Sequence, residues 1–324
     1  MTPPRGSSGR PSAKRPRRQA ESGPRRSGVP VGQDGAGDAA RTRRPAKPAG
    51  RPGGKPAHVR ERQSDGADAR RHASKAEQKV HGVRACEALF GRRPGDIVRV
   101  YVSMARKPTF KKLLEHCAAN RLGFQVVDEA NLDRLAGGVH HEGIVILARE
   151  PARGDAEALL AGVAAGTIRG PLVYLDGVQN PHNLGSILRT AAHFGCGAVI
   201  GAVGDLPPLS AAASRVSEGG AEYVALFDLA DPPATLAALS RAGFSRVTTT
   251  SRTGQTPAAA GLSRDVVLIL GSEAEGVSPR IARLADQRVR IPGSGNVQSL
   301  NVAVAAGILL AEACRSEGEP RSDV

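Results

Sequence analysis

Three stretches place polar side chains and glycines where apolar, strand-like runs end. They are NPHNLGSILRTA (180–191), LILGSEAEGVS (268–278) and IPGSGNVQSLNVAVAAGILLAE (291–312). Their residue types define what chemistry is available. Asn183 and Asn301 each donate and accept, which suits holding a hydroxyl in one geometry. Arg189 carries a planar fork of donors that stays charged and fits phosphate or negative charge developing on oxygen. Glu273 is a carboxylate able to orient a cation or an acceptor, and Ser299 is a hydroxyl partner at the mouth of an apolar segment. Gly271 permits close backbone approach. Each has a plainer reading. Asn183 is the kind of residue that caps a helix, and Ser299 with Asn301 fits a loop capping a core helix. Glu273 fits a carboxylate at a helix start. Arg189 fits a surface cation.

The elements around these stretches decide how they are positioned. Apolar strand candidates run over Leu172–Leu175, Ala198–Val203, Tyr223–Phe227, Ser245–Thr250, Val266–Leu270 and Arg288–Ile291. Helices fit between them, notably over Leu184–Phe194 and Pro233–Ala242, with a last one from Leu300. Strand–helix alternation with apolar strands predicts a mostly parallel sheet covered on both faces. In such a sheet, polar loops gather at the carboxyl ends of the strands, where ligands bind. A smaller α/β unit precedes it. HGVRACEALF has helical spacing, IVRVYVS alternates as a strand, and Phe110–Leu122 is amphipathic. Strands follow at Phe124–Asp128 and Gly143–Arg149, with a short helix near Leu132–Leu135. The adjacent His140 and His141 would point to opposite faces of a strand, so a polar turn or RNA-facing loop is favoured over a metal site.

The predicted organisation is a disordered basic arm over 1–75, a small domain over 78–150, a linker over 151–167 containing a short helix, a larger domain over 168–316 and a flexible tail over 317–324. The chain of 324 residues has a formal net charge of +14, unevenly placed. Residues 1–79 hold 20 Lys and Arg against 7 Asp and Glu, whereas residues 80–324 hold 25 against 24. The arm is rich in Pro, Gly, Arg and Ser and lacks aromatics, so it buries too little apolar surface to offset its ordering entropy. Nucleic acid is its first expected partner, bound by phosphate contacts that position without reading sequence. An anionic membrane surface is the second, and a solvated tail without a specific role the plainest reading.

Several classes are disfavoured. There is no GxxxxGK[ST], and the turn Gly293-Ser294-Gly295 lacks the third glycine of a dinucleotide fingerprint and lies far from any opening βαβ unit. No nucleophile-elbow serine is present. The four cysteines, Cys86, Cys117, Cys196 and Cys314, show no CxxC pairing, which argues against zinc and disulfides and fits a reducing cytoplasm. No apolar run reaches the roughly 18 residues of a spanning helix.

Taken together, the three stretches resemble the SpoU (TrmH) family of SPOUT methyltransferases. Asn183-Leu184-Gly185 through Arg189-Thr190-Ala191 matches the family's first motif, Leu268 through Gly271-Ser272-Glu273 to Gly276 the second, and Ile291-Pro292 through Ser299-Leu300-Asn301-Val302 the third. The resemblance covers about residues 80–315. It departs at Gly293, where many members have Met, which leaves that wall of the adenosine site altered. The resemblance implies methyl transfer from S-adenosylmethionine to a ribose 2′-hydroxyl of ribosomal or transfer RNA. It implies a C-terminal domain with a trefoil-knotted, mostly parallel sheet, a preceding ribosomal-protein-like RNA-binding domain, and a homodimer sharing catalytic groups across its interface. The long basic arm resembles one bacterial subgroup. Neither metal nor membrane is expected.

On that basis Asn183, Arg189, Glu273, Ser299 and Asn301 are the candidate catalytic residues, and Gly271, Ile291 and Leu300 frame the cofactor. Glu273 is expected to orient Arg189 or the acceptor. Arg189 as a general base is disfavoured: a guanidinium holds its proton far above neutral pH, so deprotonation at pH 7 costs about 9 kcal/mol. A charged Arg189 that orients ribose and phosphate is the expectation. The competing reading is a non-catalytic RNA-binding or ribosome-assembly factor on the same fold.

Overall fold

The computed structural model describes residues 77–315. The basic arm over 1–75 and the tail over 317–324 lie outside the described residues.

The first sheet is built from β1 (Glu77–His81), β2 (Ile97–Ser103), β3 (Gly123–Val127) and β4 (Ile144–Arg149), in the order β1-β4-β2-β3. β4 is antiparallel to both β1 and β2, and β3 joins β2 in parallel. Helices α1 (Val83–Arg92) and α2 (Lys111–Ala119) bring Cys86, Leu89, Leu113 and Cys117 into one core with Val100, Val102, Ile144 and Ile146. Helix α3 (Glu129–Ala136) covers the other face, where Leu132 and Ala136 pack on Val145. Asp128 caps α3 by accepting from Asn131 N–H at 2.7 Å. After β2, residues Arg106, Lys107, Lys111 and Lys112 are all exposed.

The second sheet is parallel throughout. Its strands are β5 (Leu172–Asp176), β6 (Ala198–Ala202), β7 (Ala225–Leu229), β8 (Ser245–Thr249), β9 (Val266–Gly271) and β10 (Gln287–Val289), in the order β10-β8-β9-β5-β6-β7. Side chains alternate between two cores. Val173, Leu175, Val266, Leu268 and Leu270 face α5 (Pro181–His193) and α9 (Val302–Cys314), while α6 (Ala211–Ser217) packs on α5. Leu172, Tyr174, Val267 and Ile269 face α4 (Ala156–Ala164), α7 (Pro232–Arg241) and α8 (Pro279–Ala282). Both faces are therefore buried, which is why the strands read as unbroken apolar runs. β5 has β6 and then β7 on one side, and the chain crosses to the other side for β8, β9 and β10; such a reversal leaves a crevice at the carboxyl ends.

The two sheets meet through α6 and a 3-10 turn at Gly220–Glu222. Arg93, just after α1, forms a forked pair with Glu222, with Nη2 donating to Oε1 at 2.9 Å. Both side chains are largely shielded from water, so loss of either would leave a charge uncompensated.

Candidate active site

The three polar stretches converge. Asn301 is the N-cap of α9: its Oδ1 accepts from Ala303 N–H at 2.9 Å and Val304 N–H at 3.3 Å. Its Nδ2 donates to Asn183 Oδ1 at 3.0 Å and to Glu273 Oε1 at 2.6 Å. Asn183 Nδ2 donates to the same Glu273 oxygen at 3.0 Å. Two carboxamides from separate helices thus hold one carboxylate from the loop after β9. Asn301→Ala is expected to lower stability by about 1–2 kcal/mol through loss of the cap. Urea unfolding measures this, and an unchanged midpoint would contradict the cap assignment.

Beside this cluster lies a cavity of about 820 Å³. It is walled by the loops that follow β8, β9 and β10 and by the start of α9, as the carboxyl-end crevice requires. Gly271, Glu273, Ile291, Ser299 and Leu300 line it. Gly271 has a physical reason to be glycine. A Cβ there would sit 1.9 Å from the carbonyl carbon of Gly276 and 2.2 Å from Val277 N, because the Ser272–Gly276 turn folds back on it. Asp176 at the end of β5 fixes that turn, with its backbone carbonyl accepting from Ser272 N–H at 3.1 Å and its carboxylate from Ser278 N–H at 2.6 Å. At Gly293 an added Cβ meets nothing within 4 Å, so the wall there is open.

Two sequence readings are corrected. Asn183 does not cap its helix; Asn180 does, accepting from His182 N–H at 2.9 Å, because Pro181 takes the first helical position. Within one chain Glu273 does not reach Arg189. The six residues from Asn183 to Arg189 turn the helix by about 240°, which carries the guanidinium away from the Asn183 side. Arg189 instead lines a separate, open pocket with Arg84, His193, Glu218 and Tyr223, and its Nη2 lies 3.5 Å from Glu218 Oε2. Sequence reading missed Glu218 and the Thr249–Thr253 wall of the cavity. The wall's only signal was its place after a strand.

His141 is buried in the turn before β4. Gly143 N–H donates to its Nδ1 at 3.0 Å, so Nε2 carries the proton toward Asp133 Oδ1 at 3.1 Å. His140 beside it is exposed. This is a polar turn. Among the described residues no group of three or more His, Cys, Asp or Glu side chains is placed to hold a metal ion, and no helix is long and apolar enough to cross a membrane.

Comparison with known proteins meets this geometry. Residues 170–311 match the SpoU rRNA Methylase family, and residues 79–153 match the RNA 2′-O ribose methyltransferase substrate binding family. The 23S rRNA (guanosine-2′-O-)-methyltransferase RlmB of Vibrio cholerae is 32% identical over 243 residues, covering 73% of this chain and 96% of that one. The chain belongs to the SpoU methylase family. Another relative, the uncharacterized tRNA/rRNA methyltransferase YfiF of Escherichia coli O157:H7, is 38% identical over 237 residues, covering 73% of this chain and 67% of that one. Among solved structures, an RNA 2′-O ribose methyltransferase superposes with a TM-score of 0.59 at 26% identity, covering 76% of this chain and 91% of that one. The AdoMet-bound rRNA methyltransferase from Sinorhizobium meliloti shares the fold, with a TM-score of 0.61 at 23% identity and coverage of 76% and 90%. The α/β architecture with a mostly parallel sheet is thus that of SpoU enzymes.

Proposed function

We propose that the chain is an RNA ribose 2′-O-methyltransferase that uses S-adenosylmethionine and works as a homodimer on ribosomal or transfer RNA in the cytoplasm. The observation that carries this is the convergence of all three motifs at the Asn183–Glu273–Asn301 cluster, beside a cavity walled by the second and third. The cavity suits the donor. Thr248 lines it with a buried hydroxyl that has no hydrogen-bond partner among the described residues, leaving a polar contact for a ligand. Apolar Leu270, Ile291 and Val302 offer packing for a base, while Arg288 and Arg290 together with Glu273 and Glu275 suit a ligand carrying both signs of charge. Gly271, Ile291 and Leu300 would frame it, with the strand-end backbone at Gly271 approaching closely. Bound there, the donor supplies an electrophilic methyl on a sulfonium.

The chain's own residues do the rest. Asn183 and Asn301 hold the Glu273 carboxylate in one orientation at the cavity edge, and Ser299 adds a hydroxyl at the mouth. Arg189 stays charged, orients ribose and phosphate, and stabilises negative charge developing on the attacking oxygen. Because Arg189 does not line the cavity of its own chain, its proposed place is an acceptor site completed by a second copy. Helix α9 leaves Val304 51% and Ile308 38% exposed one turn apart, an apolar stripe fit for such a contact. The domain over 78–150, with its exposed Arg106, Lys107, Lys111 and Lys112, would carry RNA recognition, and the C-terminal segment of the domain over 168–316 would thread the trefoil knot. Calorimetric titration with S-adenosylmethionine tests the cofactor, with saturable binding expected. Binding of NAD with none of S-adenosylmethionine or its demethylated product would overturn the reading. Light scattering tests the assembly, with twice the chain mass expected and a monomer overturning it.

A further inference from the structure

A second polar chain runs from the N-terminal sheet to Arg189. It begins at the turn before β4, where Arg106 Nε donates to the Glu142 carbonyl at 3.0 Å. The Glu142 carboxylate accepts from Val83 N–H at the start of α1, at 2.8 Å, and from Arg215 Nη2 on α6, at 2.6 Å. Arg215 donates onward, from Nε to the His140 carbonyl at 3.2 Å and from Nη1 to Glu218 Oε1 at 3.2 Å. The other Glu218 oxygen lies 3.5 Å from Arg189 Nη2. The middle of the chain is shielded: the side chains of Glu142, Arg215 and Glu218 are mostly covered, whereas Arg106 at one end is exposed and Arg189 at the other is 60% exposed.

The backbone marks both carboxylates as unusual. Glu142 has φ 52° and Glu218 has φ 46°, and only one other described non-glycine residue, Arg121, has positive φ. Glu218 is the left-handed C-cap of α6, a position that glycine fills without strain. Both strained residues direct a carboxylate at one guanidinium, that of Arg215. The Val83 N–H, with Arg215 beside it, holds the Glu142 carboxyl below its ordinary range, so this end of the chain stays charged.

We infer that Glu218 is a positioning residue for Arg189, braced across the domain junction by Arg215 and Glu142. This rests on the proposed role of Arg189. One Nη group held by Glu218 leaves the remaining donors of the fork free for ribose and phosphate, and removes rotamer freedom that would otherwise be lost on substrate binding. The brace also ties the aim of Arg189 to the turn of the N-terminal domain that carries Arg106.

Glu218→Gly and Glu218→Asn test this, because both residues accept a left-handed backbone and neither supplies a carboxylate. The assay measures tritium transfer from methyl-labelled S-adenosylmethionine to total RNA from cells lacking the protein. Both variants are expected to lower kcat about 10- to 100-fold through loss of aim, with the thermal midpoint not lowered and KM for RNA and cofactor affinity within about twofold. In an Arg189→Lys background, Glu218→Gly should add less than about a twofold loss, since residues acting as a unit are non-additive. An unchanged kcat, equal losses in both backgrounds, or a lowered midpoint matched by the lost active fraction would overturn the inference. Activity surviving Arg189→Ala would instead overturn the role of Arg189 beneath it, and no transfer by the unsubstituted protein would overturn the proposed function and this inference together.

Discussion

Arg189→Ala is expected to reduce methyl transfer on the order of 10²–10³-fold or beyond, while S-adenosylmethionine affinity stays within about twofold. The split follows from position. Arg189 lines the pocket with Glu218 and Tyr223 and has no side-chain contact with the cavity framed by Gly271, Ile291 and Leu300. A residue that stabilises charge only as the acceptor oxygen attacks affects turnover and not donor binding. Arg189→Lys keeps the charge and loses the planar fork, so it should recover only part of the activity. Single-turnover kinetics with a parallel calorimetric titration measures both quantities. Full turnover by the lysine variant would contradict the geometric role, and a matching loss of donor affinity would place Arg189 at the cofactor.

Gly271→Ala should have the next largest effect, on the other half of the site. Its added methyl would meet backbone atoms of Gly276 and Val277, not the end of a flexible side chain. The Asp176 contacts to Ser272 and Ser278 prevent that turn from yielding freely. Overpacking of this kind costs roughly 1–3 kcal/mol, or about 10- to 100-fold in donor affinity if the cofactor loop takes the strain. Gly293→Ala is the control on the facing wall, where a Cβ meets nothing within 4 Å, and should bind the donor as the unsubstituted protein does. Equal affinities for the unsubstituted protein and the Gly271 variant would show that the turn moves without cost and does not frame the ligand.

The parts legible in the sequence were those whose physics is local. β5 and β9 are buried on both faces, so LVYLD and VVLIL announce themselves as strands. The last helix, read as starting at Leu300, starts at Val302 because Asn301 spends its side chain on the cap. β1 was not legible. Its sequence EQKVH looks polar, yet Gln78 and His81 are buried by α6 and β4, contacts that no local pattern encodes. The strand read over Tyr223–Phe227 lies at Ala225–Leu229, since the 3-10 turn at Gly220–Glu222 occupies the preceding residues. α6, with sequence AAASRVS, is too short and too weakly apolar to show periodicity.

The site divides the same way. Motif spacing brought Asn183, Glu273 and Asn301 forward as candidates, and the structure joins them by hydrogen bonds across 90 and 118 residues of chain. The partner of Arg189 was not legible. Glu218 lies in an Ala-, Ser- and Gly-rich stretch whose left-handed turn is set only when α6 docks against α5 and β1. His141, which sequence left between a turn and an RNA-facing loop, proves to be a turn residue because Gly143 N–H and Asp133 take its two ring nitrogens.

The central claim is the atom that receives the methyl group. Total RNA from cells lacking the protein, incubated with the purified chain and methyl-labelled S-adenosylmethionine, can be digested to nucleosides and resolved by mass spectrometry. The expected result is a single 2′-O-methylated nucleoside carrying the label, absent when Arg189→Ala replaces the unsubstituted protein. Label on a base, or none in any nucleoside while RNA binding persists, would contradict the account and leave an RNA-binding factor on a methyltransferase fold.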